Sequence, residues 1–468
     1  MSAYSPVPRL LRFASLILLA LFVSCVRVDN PRVASESIKL ADALNPLSEN
    51  TTADKKSTLQ TIYIDSSWSM SGFVGSNSSA RTTFDELIDA MPDVLPGCAV
   101  YRYGQTGNVN QADVSQITTV AEFDSRLHDP NTYHLGFNPD DALIRHLVSQ
   151  KKPAFSVILT DGVESDQNGQ INTVVVDSIR AWLKSGNLFG ILVFKSKFSG
   201  QFYSERQRKM IGNVTVDSRP FYAFVMATDR REFDDFVDKL RRRFGRLQSI
   251  IFSDDAIKST IVLPVEGKYH YASEAPPNKP YYWQMITVED LASEQGQKSE
   301  SENTGSTNAG VTTPTETTVG YQYSFEINKS YPIKILGFRV NVKEHKWEQS
   351  EVAFKHEAVS SPSEKTTKDL RQTKKAEATV ETFTLPVNDV VRATADGDYH
   401  FYAVDCSIYV KEVADDVSSI STRDDSSADN AGKTYRFQEL VLAILDVHLK
   451  EQIGPRALPR LYVTASRL

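Results

Sequence analysis

The sequence predicts an α/β fold, built on a doubly wound, mostly parallel sheet and followed by a β-rich, sandwich-like region. Three observations carry this expectation. Between residues 59 and about 244, short β-branched or aromatic runs alternate with segments of helical period, the pattern of parallel strands joined through crossover helices. Beyond about residue 245, strand-like runs dominate and are separated by proline and polar turns. The 468-residue chain is 41% hydrophobic and 24% charged, which suits two or three folded domains and argues against wholesale disorder.

The first 25 residues read as a targeting segment. Arg9 and Arg12 precede a nearly unbroken apolar run from residue 13 to 23, short of the roughly 20 apolar residues that span a bilayer. Leu21-Phe22-Val23-Ser24-Cys25 resembles the bacterial lipobox, with Phe22 where leucine is usual. The resemblance implies lipidation of Cys25 and a membrane-anchored lipoprotein of the cell envelope, facing the periplasm or the exterior. An ordinary cleaved signal and an uncleaved anchor remain open. Residues 26–58 are polar and read as a flexible tether.

Residues 59–247 form the first expected domain. Thr61-Ile62-Tyr63-Ile64 is a strand, and Phe84, Leu87, Ile88 and Met91 then recur at helical spacing. A second strand runs through Val100, Tyr101 and Tyr103. Asn138-Pro139-Asp140-Asp141 opens a helix, since asparagine caps, proline suits the first turn and acids favour the positive end. Phe155-Ser156-Val157-Ile158-Leu159 has the continuous apolar character of a buried parallel strand. Residues 174–183 are helical, residues 188–194 and 221–226 are two further strands, and Phe233, Phe236, Val237, Leu240 and Phe244 line one helix face. In such sheets ligands bind beyond the carboxyl ends of the strands.

Residues 248–468 form the expected β-rich domain, with strand-like runs such as residues 321–325, 335–340 and 399–410. Two low-complexity stretches, near 296–318 and 418–430, read as disordered insertions. A last helix near residues 437–450 carries His448, read as a surface or core-edge residue and not a ligand. The net charge of −7 excludes a broadly basic nucleic-acid surface, and the arginines at 230–231 and 241–243 read as the solvated side of one helix. Apart from Cys25, only Cys98 and Cys406 occur; buried free thiols are expected, with an interdomain disulfide as the alternative.

Chemistry concentrates after the first strand, in Asp65-Ser66-Ser67-Trp68-Ser69, and at the turn Thr160-Asp161-Gly162 after a later one. Carboxylates and hydroxyls are the oxygen donors that a hard cation takes. These two motifs resemble the von Willebrand factor A family, whose metal-ion-dependent adhesion site begins with Asp-x-Ser-x-Ser at this place and ends on a distal aspartate. The resemblance covers residues 59 to 244 and implies a Rossmann-like fold and a Mg²⁺ (or Mn²⁺ or Ca²⁺) site at Asp65, Ser67, Ser69 and Asp161. It also implies a partner protein whose acidic side chain completes the coordination, and no enzymatic activity. The threonine that the family usually carries ahead of the helix beginning at Asn138 is replaced by Phe137, so Asn138 is the tentative substitute ligand, or Thr132 if its loop reaches in. A turn-forming role for Asp65 is the bland alternative. Trp68 and Phe73 suit either a binding rim or loop packing. Two other readings stand beside cation-dependent binding: a metal-free scaffold whose β-rich domain binds the partner, and a metal-dependent hydrolase. The sequence offers the hydrolase no phosphate-cradling loop and no nucleophile elbow.

Overall fold

The computed structural model describes residues 31–44, 60–75, 81–104, 113–134, 140–149, 155–162, 172–263, 269–271, 281–288, 320–349, 351, 353–359, 363–366, 371–375, 378–391, 398–450, 458 and 460–467. The targeting segment with Cys25, residues 137 and 138, and the insertion at 296–318 lie outside them.

The first sheet has seven strands: β1 (Gln60–Asp65), β2 (Ala99–Gly104), β3 (Asp113–Ile117), β4 (Phe155–Thr160), β5 (Leu188–Ser204), β6 (Lys209–Ala227) and β7 (Gln248–Phe252), in the order β3-β2-β1-β4-β6-β5-β7. Strand β1 is an interior strand and pairs in parallel with β2 and β4. The sheet is mixed, not mostly parallel. Residues 188–194 and 221–226, expected as separate parallel strands, are the bases of one long hairpin. Only residues 205–208 join β5 to β6, so β6 must return antiparallel, and it lies between β4 and β5. Strands β3 and β7 close the edges antiparallel.

Helices cover both faces because side chains alternate along each strand. Ile62 and Ile64 share a core with helix residues Phe84, Leu87, Phe233 and Leu240. Tyr63 and Ile158 face the other way, towards Leu143, Ile144, Ile179 and Trp182.

Among the described residues, the β-rich region holds two larger sheets and a two-stranded one, Ser421–Thr422 with Thr434–Tyr435. The larger follows the order Ala353–Val359, Ile333–Glu348, Tyr399–Val413, Arg460–Arg467, Tyr282–Val288, Tyr269–Tyr271, with Ser363–Thr366 added along the second strand. The smaller runs Arg371–Lys374, Ala378–Pro386, Gly320–Asn328, Ile257–Val262. They meet through Phe325 and Phe338, stacked at 4.3 Å, with Phe383 and Tyr323 alongside. This core continues into the second face of the first sheet, where the Phe437–His448 helix packs on Thr173–Lys184.

Three expectations are corrected. Residues 26–58 are not simply a tether: Pro31–Leu44 is a helix, α1, docked on the larger β-sheet. Val33 and Ala41 are fully buried and, with Ile38, pack on Tyr281, Trp283, Phe401 and Tyr462. The Thr464 hydroxyl donates to Ser37 Oγ at 2.8 Å, Tyr281 to Asp42 at 2.9 Å, and Arg460 to the Leu44 carbonyl. Secondly, the stretch at 418–430 is ordered. Asp425 is buried because its carboxylate accepts from the Ser204 hydroxyl and from the Glu205 and Arg206 amides at the tip of the β5–β6 hairpin. Thirdly, His448 is fully buried between Phe252 and Tyr331, and desolvation drives its pKa down to about 3. Cys98 and Cys406 are free thiols, half-buried and buried. Among the described residues, no helix is long and apolar enough to cross a membrane.

Ala41 has no room for a charged side chain against the larger sheet. Ala41→Glu is expected to unseat α1, to cost about 2 kcal/mol and to open residues 31–44 to limited proteolysis; an unchanged thermal midpoint and digestion pattern would refute the docking.

Candidate functional site

Asp65 ends β1, and Ser66 keeps the chain in register by donating its amide to the Tyr103 carbonyl of β2. The Asp65 carboxylate then accepts the Ser67 amide at 2.8 Å, a side-chain-closed turn that releases the chain from the sheet. Ser67 caps the single helical turn Trp68–Ser71, and its hydroxyl lies 2.9 Å from that of Ser69. Across the sheet, Ile64 is level with Leu159, so the two strand ends present Asp65 beside Thr160 and Asp161. The Thr160 hydroxyl reaches Asp65 Oδ2 at 3.5 Å and accepts the Gly162 amide. Gly162 has φ +70°, and a Cβ there would stand 2.4 Å from the Tyr222 ring, so only glycine completes this turn.

Asp65, Ser67 and Asp161 are buried, while Ser69 is partly exposed and Trp68 stands half out of the surface. The Trp68 indole donates to the His134 carbonyl at 2.6 Å, which pins it to the neighbouring turn as a rim. Phe73 is no rim residue. It is fully buried among Phe84, Phe198 and Phe221. Thr132 does not reach the site, because its hydroxyl is spent on the Arg126 and Asp129 carbonyls of its own turn. Asn138, the tentative ligand, lies outside the described residues.

Two arginines escaped the sequence reading. Arg102 interrupts the otherwise apolar β2, and that interruption was the available signal. Its guanidinium donates to Ser66 Oγ at 2.9 Å and to the Thr132 carbonyl. Arg219 left no such mark. Its buried guanidinium lies 3.9 Å from Asp161, donates to the Ala431 carbonyl and packs over Phe198 and Phe202. Burial lowers its pKa, and the Asp161 charge opposes that shift.

The donors are those a hard cation takes. Around an octahedral ion with bonds near 2.1 Å, adjacent ligand oxygens stand about 3.0 Å apart; the Ser67 and Ser69 hydroxyls, hydrogen-bonded to each other at 2.9 Å, are close to that separation. Among the described residues, no group of three or more His, Cys, Asp or Glu side chains is gathered for a metal. Two carboxylates with hydroxyls are therefore the available set.

Beyond the motif, Asp85 accepts the Gly75 and Thr82 amides and faces His128 at 3.4 Å; His128 also meets Asp89 at 2.9 Å. For Asp85, burial raises the pKa, but hydrogen bonds from His128, Thr82 and Gly75 outweigh it and leave it lowered. The His128 pKa is raised, chiefly by Asp85, against desolvation. A raised histidine stabilises fully below its unfolded pKa of about 6.5 and loses that contribution as pH climbs through the folded value. The lowered Asp85 contributes above the ordinary carboxylate range and loses its contribution in acid. The stability difference between wild type and His128→Gln should thus be largest near pH 6, about one unit below neutral, and shrink as pH rises; denaturant titrations that find a constant difference would contradict the pair.

A scan against protein-family models, a search of curated proteins and a search of solved structures each return no match.

Proposed function

We propose that the chain is a membrane-tethered, extracytoplasmic protein of von Willebrand factor A type that captures another protein through a divalent cation, Mg²⁺ or Mn²⁺ or Ca²⁺. The anchor is a lipidated Cys25. The observation that carries the reading is the Ser67–Ser69 hydroxyl pair at 2.9 Å beside Asp65, at the carboxyl ends of adjacent parallel strands. Asp65 and Asp161 supply negative charge from the two strand ends, and Ser67 and Ser69 supply neutral oxygens. When bound, a hard cation with this few carboxylates supplies residual positive charge and an open position for an acidic oxygen of the partner. Trp68 offers an exposed aromatic at the rim, the residue type that anchors interfaces. Binding, not turnover, is proposed because the cation beside Asp161 among the described residues is the Arg219 guanidinium, which serves poorly as a base.

Full-length protein is expected to gain thermal stability on adding Mg²⁺ or Mn²⁺ and to lose the gain in chelator. Asp65→Ala should remove the response while far-ultraviolet circular dichroism stays unchanged. Wild-type protein that neither shifts nor gives heat in titration calorimetry sinks the cation reading.

One observation favours the metal-free scaffold as a second reading. Arg219, buried 3.9 Å from Asp161, already supplies a counter-charge from within the chain. Under either reading, Arg219→Met leaves Asp161 buried without that charge, at a cost of about 3–5 kcal/mol. The readings part on rescue. Cation binding predicts that Mg²⁺ restores much of the loss, whereas the scaffold predicts the same denaturation midpoint with Mg²⁺ and with chelator.

A further inference from the structure

A groove of about 920 Å³ runs between the end of helix Arg230–Phe244, strands β5 and β7, the start of helix Thr83–Val94 and the β-rich region. None of the Asp65–Asp161 site residues lines it. The lining carries five cations, Lys195, Arg241, Arg243, Arg246 and Lys329, against two carboxylates, Glu86 and Asp416. Adding Asp93 and Asp238, which pair with Arg243 and Arg241, and Arg242 beside them leaves six cations against four carboxylates. The groove is thus positive in a chain whose net charge is −7. A helix C-terminus favours cations, which accounts for Arg241, Arg242 and Arg243. It does not account for Lys195 on β5 or Lys329 from the β-rich region, which only the tertiary fold brings to the same place. We propose that this groove binds a small ligand carrying several phosphate groups close together.

Part of the site is positioned in advance. Arg241 donates to Ser249 Oγ at 3.2 Å, Ser249 Oγ lies 3.2 Å from Ser330 Oγ, and the Ser330 carbonyl accepts the Ile251 amide at 2.7 Å. One guanidinium is therefore oriented by contacts that cross from the first sheet to the β-rich region. Arg243 meets Asp93 at 3.4 Å and Arg241 meets Asp238 at 3.5 Å, exposed pairs that contribute little and that a more highly charged anion can replace. Asp416 accepts a hydrogen bond from Gln248 at 3.1 Å. Lys195 and Arg246 are exposed and, among the described residues, make no ion pair and no side-chain hydrogen bond. Guanidinium forks and ammonium groups are the donors that phosphate oxygens take. One carboxylate would answer one of these cations, whereas clustered phosphates answer several at once. The aromatic rings of the lining, Phe194 and Phe244, pack edge to face at 5.6 Å. They are not laid out as the stacking platform that a nucleic acid strand uses, which favours a compact polyphosphate.

The test uses full-length protein in chelator, so that no divalent cation bridges protein and ligand. Titration calorimetry with inositol hexakisphosphate and with tripolyphosphate is expected to show saturable binding, at least about tenfold tighter than with inorganic monophosphate. Lys195→Gln combined with Arg246→Gln removes two cations that hold no other contact, and affinity should fall about tenfold or more at an unchanged thermal midpoint. Lys209→Gln combined with Arg231→Gln removes the same charge from exposed positions outside the groove and should leave affinity within about twofold. Flotation with phosphatidylinositol bisphosphate vesicles reads the source of the phosphates: co-flotation supports a lipid headgroup, and soluble binding without it supports a free ligand. Absence of binding by both soluble probes, or an equal loss in the two double variants, overturns the proposal. A single-stranded oligonucleotide that binds more tightly than inositol hexakisphosphate overturns it in favour of nucleic acid.

Discussion

Arg219 is a guanidinium taken out of water, and much of the molecule is arranged around the cost of putting it there. Desolvating such a charge costs several kcal/mol unless opposite charge and acceptors surround it. Here the compensation comes from four separate parts of the chain. Asp161 supplies charge at the end of β4, Ala431 a carbonyl, and Phe198 and Phe202 ring faces from the hairpin partner strand. Phe73, after the Asp65 motif, lends a fifth contact at 5.9 Å. Its Nε is nevertheless buried without a hydrogen-bond partner, so the compensation is incomplete. A group that draws on so many segments couples them, because moving any one of them removes part of its compensation.

The C-terminal segment gains its order from the same neighbourhood. Asp425 takes three donors from the hairpin tip, Thr434 accepts the Tyr222 hydroxyl and reaches the Asp161 carbonyl, and Phe437 stacks on Tyr222 at 4.3 Å. Residues far apart in sequence thereby close over the back of the Asp65–Asp161 site. The apolar core follows suit, running without a break from the first sheet into the β-rich region. Substitutions in the β-rich half will therefore be felt at the site, and isolated fragments would expose apolar surface that the whole chain buries.

How much of this was legible in the sequence depended on whether a segment's fate was local. The strands at 60–65 and 155–160 and the helix at 230–244 carry their own periodicity, and they fold where that periodicity places them. The candidate site was legible for the same reason, since Asp65 and Asp161 each sit at the end of such a strand. The outer half of the hairpin was not. Its alternation of buried and exposed residues is masked because polar Ser196 and Ser204 occupy buried positions and because the register shifts near Phe198 and Phe202. Helix α1 escaped because Ser37 and Ala41 gain value only against Trp283 and Thr464. Residues 418–430 read as unburiable until Asp425 met three donors that no local pattern announces, and Arg219 depends on contacts that only the tertiary fold creates.

Ser37 and Thr464, joined by a hydroxyl contact, lie almost at opposite ends of the polypeptide. The seat of α1 includes the final strand, Arg460–Arg467, so it does not exist until the last residues have been made. Closing so long a loop is entropically costly and belongs late in folding. A chain threaded across a membrane from its N-terminus would thus deliver α1 first and seat it last. Throughout that interval the underside of the β-sheet, with Trp283 and Phe401, stays bare, and a chain cut short of its last strand never completes the seat that covers it.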